Sequence, residues 1–180
     1  MKAQKSKELK VDLDIVEYLS YFISPVISLS IIFFHETLGT VLPVIWIQYA
    51  LLPLLDYFSP LDLKNRTAEE YEALEKDWRY LIPLYLAGFV VYAVMIWSFY
   101  VIYYESADMT WGQLILFTIT TPGVLVLGAN VGHELTHRRE MQHRVFAIFM
   151  MLPMLNTNYS IQHTRGHHLY VGTNRDPSTA

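Results

Sequence analysis

Four long apolar stretches divide the chain, at residues 15–34, 38–58, 80–104 and 111–131. The first carries one charge, Glu17, near its start. The second is interrupted by Gln48 and Asp56 and holds Pro43 and Pro53, and the last two contain no charged residue. Each is long enough to cross a hydrocarbon layer of about 30 Å. Proline is tolerated in such helices because neighbouring groups take up the carbonyl it frees. The pattern predicts an all-α, polytopic membrane protein with four transmembrane helices. The first run is too long for a signal peptide and lacks a small-x-small cleavage site, so it is expected to be retained.

Two shorter segments have a different pattern. Thr67-Ala-Glu-Glu70 reads as a capping box, followed by an apolar stripe of Tyr71, Leu74 and Trp78 opposite Glu69, Glu72 and Lys76. That arrangement predicts an interfacial helix leading into the third span. Residues 145–155 are apolar but too few to span, so a short re-entrant or interfacial helix is expected there, folding the chain back on itself. There is no internal repeat, low-complexity tract or linker, and residues 1–180 read as a single membrane domain.

Composition supports the membrane reading: 53% of residues are hydrophobic and 17% charged, against about 25% charged in soluble domains. With no cysteine, disulfides, thiolate zinc sites and cysteine-bound iron–sulfur clusters are excluded. Charge placement then sets the topology. Lys2, Lys5, Lys7 and Lys10 precede the first span, and Lys64, Arg66, Lys76 and Arg79 lie between the second and third. Arg138, Arg139, Arg144, Arg165 and Arg175 follow the fourth, while the connections around His35-Glu36 and Glu105–Asp108 hold neither lysine nor arginine. All basic residues thus fall on one face, which the positive-inside rule makes cytoplasmic, together with the N-terminus.

The chemistry is concentrated on that face. His133-Glu-Leu-Thr-His137 and His163-Thr-Arg-Gly-His167-His168 hold five of the seven histidines. On an α-helix, residues i and i+4 share a face, so His133 and His137 can grip one metal ion, as can His163 and His167. His168 sits about 100° further round and is placed to reach a second ion. Imidazole suits iron, copper, nickel and zinc. Five candidates point to two metals or to part of a larger cluster. His35 and His143 are read as polar groups facing the interface.

His-Glu-x-x-His is also a zinc-protease pattern with the glutamate, here Glu134, as general base. His143 even stands at the third-ligand spacing of metzincins. Their helix-breaking glycine is replaced by Glu140, a good helix former, and a continued helix carries His143 roughly 15 Å along the axis from His133. A membrane zinc metalloprotease remains the alternative mechanism. A haem protein would place its ligands inside the apolar segments, not in arginine-flanked stretches at their ends.

Residues 130–140, Asn-Val-Gly-His-Glu-Leu-Thr-His-Arg-Arg-Glu, and 162–177, Gln-His-Thr-Arg-Gly-His-His-Leu-Tyr-Val-Gly-Thr-Asn-Arg-Asp-Pro, closely resemble the first two histidine boxes of the integral-membrane alkane 1-monooxygenases. These are relatives of the membrane fatty-acid desaturases and xylene monooxygenases. The resemblance extends to Pro53-Leu-Leu-Asp56, and the run through Asp176-Pro177 favours the alkane branch. It implies a non-haem di-iron site of two Fe ions held by His133, His137, His163, His167 and His168. It further implies O2-dependent terminal hydroxylation of an alkane or alkyl chain drawn from the lipid phase, with electrons from a rubredoxin-type donor. Glu134, Asp56 and Asp176 are expected to orient imidazoles. Gln162 stands where the family usually has glutamate, which predicts altered tuning at that position. Arg138, Arg139, Arg144 and Arg165 form either a docking patch for the acidic donor or simple positive-inside anchors. The implied setting is a bacterial inner membrane, with surrounding lipids as partners and no nucleic acid. A fatty-acid desaturase or hydroxylase of the same superfamily is the alternative activity. The family completes its site with a third histidine box and a further histidine. The chain is therefore read as an N-terminal portion, incomplete at its C-terminus, and these 180 residues alone are expected to bind iron weakly and not turn over.

Overall fold

The computed structural model describes residues 14–59, 66–176 and 178, and all regular structure among them is helical. Lys2, Lys5, Lys7, Lys10, Lys64 and Pro177 lie outside the described residues. Helix α1 (Ile15–Ser20) starts at Asp14, whose carboxylate accepts the Val16 and Glu17 N–H groups. A turn leads directly into α2 (Ile23–Leu38). Gly39 ends it in the left-handed conformation, φ 66°, which glycine adopts without a Cβ clash. Next come α3 (Leu42–Trp46), a turn widened to i→i+5 hydrogen bonds at Ile47–Leu51, and α4 (Leu52–Phe58). The predicted capping box opens α5 (Ala68–Glu75): Thr67 Oγ1 accepts the Glu70 N–H, and the Glu70 carboxylate accepts the Thr67 N–H. Beyond it run α6 (Leu81–Tyr104) and α7 (Trp111–Thr136).

Among the described residues, three helices are long and apolar enough to cross a membrane: Ile15–Leu38, Trp78–Tyr104 and Trp111–Thr136. The second predicted span, 38–58, is helical but shorter, Leu42–Phe58, because the Gly39 turn delays its start. Contacts define two ends of the bundle. At one end His35 meets Glu105 at 2.9 Å and Gln113 Nε2 donates to the Gly39 carbonyl at 3.4 Å. At the other, Arg66 pairs with Glu17, the Tyr18 hydroxyl donates to the Arg79 carbonyl at 3.4 Å, and Arg138 reaches the Glu75 carbonyl at 2.6 Å. The chain therefore passes from the first end to the second between Gly39 and Arg66.

The interior is a β-branched seam. Ile27 and Ile31 from α2, Val90, Val94 and Val101 from α6, and Val124 from α7 pack with Val44 and Phe117. Large apolar side chains also face outward: Phe33, Phe89, Phe99 and Ile119 are each more than 60% exposed. Helices apolar all round belong in lipid, where that surface carries no penalty.

Two sequence expectations change at the C-terminal end of α7. The helix runs five residues past 131, through Thr136, so it carries His133 within its last turns. It then stops. Glu140 adopts extended backbone, φ −69° and ψ 133°, as the N-cap of α8 (Met141–Met151), so no helix continues from His133 to His143. Helix α8 is the predicted short piece. Gly132 lets it lie close against α7: a Cβ there would come within 3.1 Å of Met150 Cβ and 3.2 Å of the Ala147 carbonyl oxygen. Ala87, Val131, Leu135, Ala147 and Met150 form a second core around this contact. The chain then returns through α9 (Tyr159–Ile161), a second widened turn at Gln162–His167, and α10 (His168–Tyr170).

Candidate metal centre

Helix α7 delivers His133 and His137 from one face, with Nε2 atoms 3.3 Å apart, as four-residue α-helical spacing requires. Packing of α8 brings the chain back to the same point. A hydroxyl contact between Thr136 and Ser160, 2.9 Å long, ties the two boxes together. Within box two the His168 N–H bonds to the His163 carbonyl, an i→i+5 bond. That widening changes which histidines align. His168, five residues on, places its Nε2 3.0 Å from that of His163. His163 Nε2 is also 2.8 Å from His133 Nε2 and 3.3 Å from His137 Nε2. The expected alignment of His163 with His167 is replaced by that of His163 with His168.

Such a set fits a metal ion. Each neutral imidazole carries one N–H, so no assignment of protons satisfies all three contacts among His133, His137 and His163. Two nitrogens 2.0–2.1 Å from one ion and at right angles to each other stand about 3 Å apart, and the observed spacings of 2.8–3.3 Å bracket that value. Burial, reinforced by the neighbouring imidazoles His133, His168, His137 and His167, holds His163 down to a pKa of about 4. His137 is lowered in the same way, by partial burial first and by His133 and His168 next. Both are therefore neutral at pH 7, the form in which imidazole binds metals.

The carboxylates divide unequally. The Asp176 side chain is fully buried, and its oxygens lie 2.9 and 3.1 Å from His167 Nδ1. With that nitrogen donating to the carboxylate, His167 keeps its lone pair on Nε2, the tautomer of a braced metal ligand. Its ring stacks beside His163, with centroids 5.5 Å apart. Glu134 faces Arg138 instead, at 3.6 Å, and makes no hydrogen bond to an imidazole. Asp56 is exposed on α4, where its backbone carbonyl accepts the Ser59 N–H at 3.2 Å and its carboxylate lies away from the histidines. The side chains brought to the cluster are therefore the five histidines and Asp176, without Glu134 or Asp56.

A family model described as fatty acid desaturase matches residues 109–180, which take in both boxes. Alkane 1-monooxygenase of Pseudomonas putida is 33% identical over 137 residues, covering 76% of this chain and 34% of that protein. The enzyme of the same name from Ectopseudomonas oleovorans is 31% identical over 137 residues, with the same coverage. Alkane 1-monooxygenase 1 of Alcanivorax borkumensis is 30% identical over 137 residues, 76% of this chain and 33% of that protein. Both comparisons point to the membrane fatty-acid desaturase and hydroxylase superfamily. It spans about a third of the length of these curated relatives.

The two remaining histidines are not the interfacial groups expected from sequence. His143 is buried on α8, and its Nδ1 lies 2.8 Å from the Tyr85 hydroxyl of α6. It is thus kept out of the cluster by helix packing and not by an unbroken helix. The side chain of His35 is 10% exposed and paired with Glu105. Among the arginines, Arg138 is engaged with Glu75 and Glu134, and Arg139, Arg144 and Arg165 remain exposed. Tyr159 joins the site without being expected from sequence: its ring stacks on His163 at 5.0 Å and its hydroxyl stands 3.4 Å from His163 Nδ1. Its position four residues before His163 was the available signal.

Proposed function

We propose that this chain carries the first two histidine boxes of an O2-dependent, non-haem di-iron hydroxylase acting on the ends of alkanes or alkyl chains. The observation that carries the proposal is the convergence of four imidazole Nε2 atoms at one end of an apolar helical bundle, in a chain similar to three alkane 1-monooxygenases. His133, His137, His163 and His168 would hold iron through Nε2, and His167 through the nitrogen opposite its Asp176 bond. Two bound irons supply the O2-activating chemistry: one O2, two electrons and two protons convert a terminal methyl to an alcohol and water.

The residues of the chain do the rest. Asp176 fixes the tautomer and angle of His167, and Tyr159 supports the plane of His163. Outward-facing Phe33, Phe89 and Phe99 keep the bundle in lipid, the phase that supplies an apolar substrate. The passage of Leu42–Phe58 between the two ends of the bundle supports four crossings, with the histidine cluster and the N-terminus on the cytoplasmic face of a bacterial inner membrane. Exposed Arg139, Arg144 and Arg165 suit an acidic, rubredoxin-type electron donor. The match to the fatty acid desaturase family favours one alternative, desaturation of an acyl chain by the same kind of centre. Zinc proteolysis is less well supported, since Glu134 is turned to Arg138 and box two has no part in that mechanism.

The test uses the complete gene product in membranes supplied with rubredoxin, its reductase and NADH. Octane is expected to yield 1-octanol, and His133→Ala or His168→Ala to remove both iron and product. An alkene product would favour desaturation. Peptide cleavage abolished by Glu134→Gln would establish the protease reading in place of this one.

A further inference from the structure

The end of the bundle away from the histidine boxes carries uncompensated negative charge. Its two connections contribute Glu36, Glu105 and Asp108 and no lysine or arginine. The fold gathers these groups around His35. His35 Nε2 lies 2.9 Å from Glu105 Oε2, and one ligand atom from each of His35, Glu36 and Glu105 falls within 4.8 Å of the other two. The His35 ring is held edge-on by Trp97 at 5.2 Å and Phe117 at 5.8 Å. Trp97 also orients the second carboxylate, its Nε1–H donating to Glu36 Oε1 at 3.0 Å. Beside them opens a cavity of about 310 Å³, lined by His35, Glu105, Asp108, Gln113 and Phe117 among others.

We propose that His35, Glu36 and Glu105 form a second divalent-cation site, of the zinc type, at the end of the bundle opposite the histidine cluster. One imidazole, even when protonated, balances a single carboxylate, whereas a doubly charged ion balances two. A set of one nitrogen and two carboxylates suits a borderline first-row ion better than calcium, which takes six to eight oxygens. The His35–Glu105 separation is that of two ligands sharing one ion. Trp97 supplies the outer support that metal-binding carboxylates commonly have. The cavity leaves room for water or for Asp108 to complete the shell. Such an ion would clip the end of α2 to the turn between α6 and α7. About 30 Å of α7 separates Gln113 from His133, so the two sites bind independently.

Zinc is the probe. In nanodiscs, the protein carrying His133→Ala, His137→Ala and His163→Ala is dialysed against micromolar zinc chloride and its bound metal counted. One zinc per chain is expected, falling to less than a tenth of that with His35→Ala or Glu105→Gln. The same difference of one zinc is expected between otherwise native protein and its Glu105→Gln variant, which answers any loss of folding in the multiple variant. With Cu2+ as a second probe, electron paramagnetic resonance should show coupling to a single imidazole nitrogen, lost in His35→Gln. Zinc counts unchanged by both substitutions, or no zinc bound before them, would overturn the site.

Discussion

His133 sits in the last turns of a regular α-helix and His137 caps it, while His163 and His167 sit on backbone widened to i→i+5 bonds that His168 closes. Both boxes contain the same His-x3-His spacing, yet they use it differently. In box one the four-residue step aligns both Nε2 atoms, 3.3 Å apart. In box two the aligned pair is five residues apart, His163 and His168 at 3.0 Å, and His167 is released to Asp176. Widened turns are rare in helices and are found most often at functional sites. Here the widening turns three closely spaced histidines into two that face the cluster and one braced from behind. The boxes also differ in support. Box one ends a long helix with Val131 and Leu135 buried beneath it, whereas box two rests on short elements and on the Thr136–Ser160 and Tyr159–His163 contacts.

If the cluster is held through its centre, His163→Ala should have the largest effect, since this residue meets His133, His137 and His168 at once. Loss of metal and activity is expected, measured as iron per chain. Stoichiometric iron in that variant would break the comparison. Protonation is the next largest effect. The His163 pKa of about 4 lies below the ordinary 6.5, so the fold favours the neutral ring. The stability this gives is present above pH 6.5 and lost as pH falls toward 4. In metal-free protein, the imidazole resonance of His163 should titrate near 4 and box two should loosen over that window. Titration near 6.5 would refute the tight packing of the four rings.

Metal removal should separate the boxes directly. Amide exchange across residues 159–170 is expected to rise about 100-fold when metal held at 100 times its dissociation constant is withdrawn. Residues 120–132, secured by helix and core, should hardly change. Equal acceleration in both would mean that box two is as well supported as box one. Asp176→Asn comes next, with a loss of about 10–100-fold in metal affinity, the usual range for a carboxylate behind a ligating histidine. Glu134→Gln should stay close to the parent in iron content, because its carboxylate is directed to Arg138.

The contrast also marks what was legible in the sequence. The long helices could be read because lipid-facing helices are apolar on every side, and hydropathy alone finds them. Their ends could not. Gly132 to Thr136 extend α7 as a mixed-polarity stretch that a hydropathy run excludes, and the break at Glu140 overrides a helix propensity worth only tenths of a kcal/mol. The return of box two was legible from the shortness of residues 145–155, while its side of approach depends on close packing at Gly132. The widened turn had no signal, because His-x3-His-His offers both a four-residue and a five-residue pair. Side-chain partners were legible unevenly: the tie between Asp176 and His167 emerges within box two itself, but Glu134 faces Arg138 four residues on and Asp56 is exposed on α4.

Tyr159 offers the finest test of that uneven support. Its hydroxyl lies 3.4 Å from His163 Nδ1, a long contact, while its ring stacks on the imidazole with planes 13° apart. If stacking sets the orientation of His163, Tyr159→Phe should cost less than about 1 kcal/mol, the net worth of an ordinary hydrogen bond. Metal affinity would then change by a few-fold at most, whereas Tyr159→Ala, which removes the ring, should weaken it further. Equal losses in both variants would place the support in the hydroxyl. Box two would then hold His163 as it holds His167, by a hydrogen bond to Nδ1, and only box one would orient its histidines through helix geometry alone.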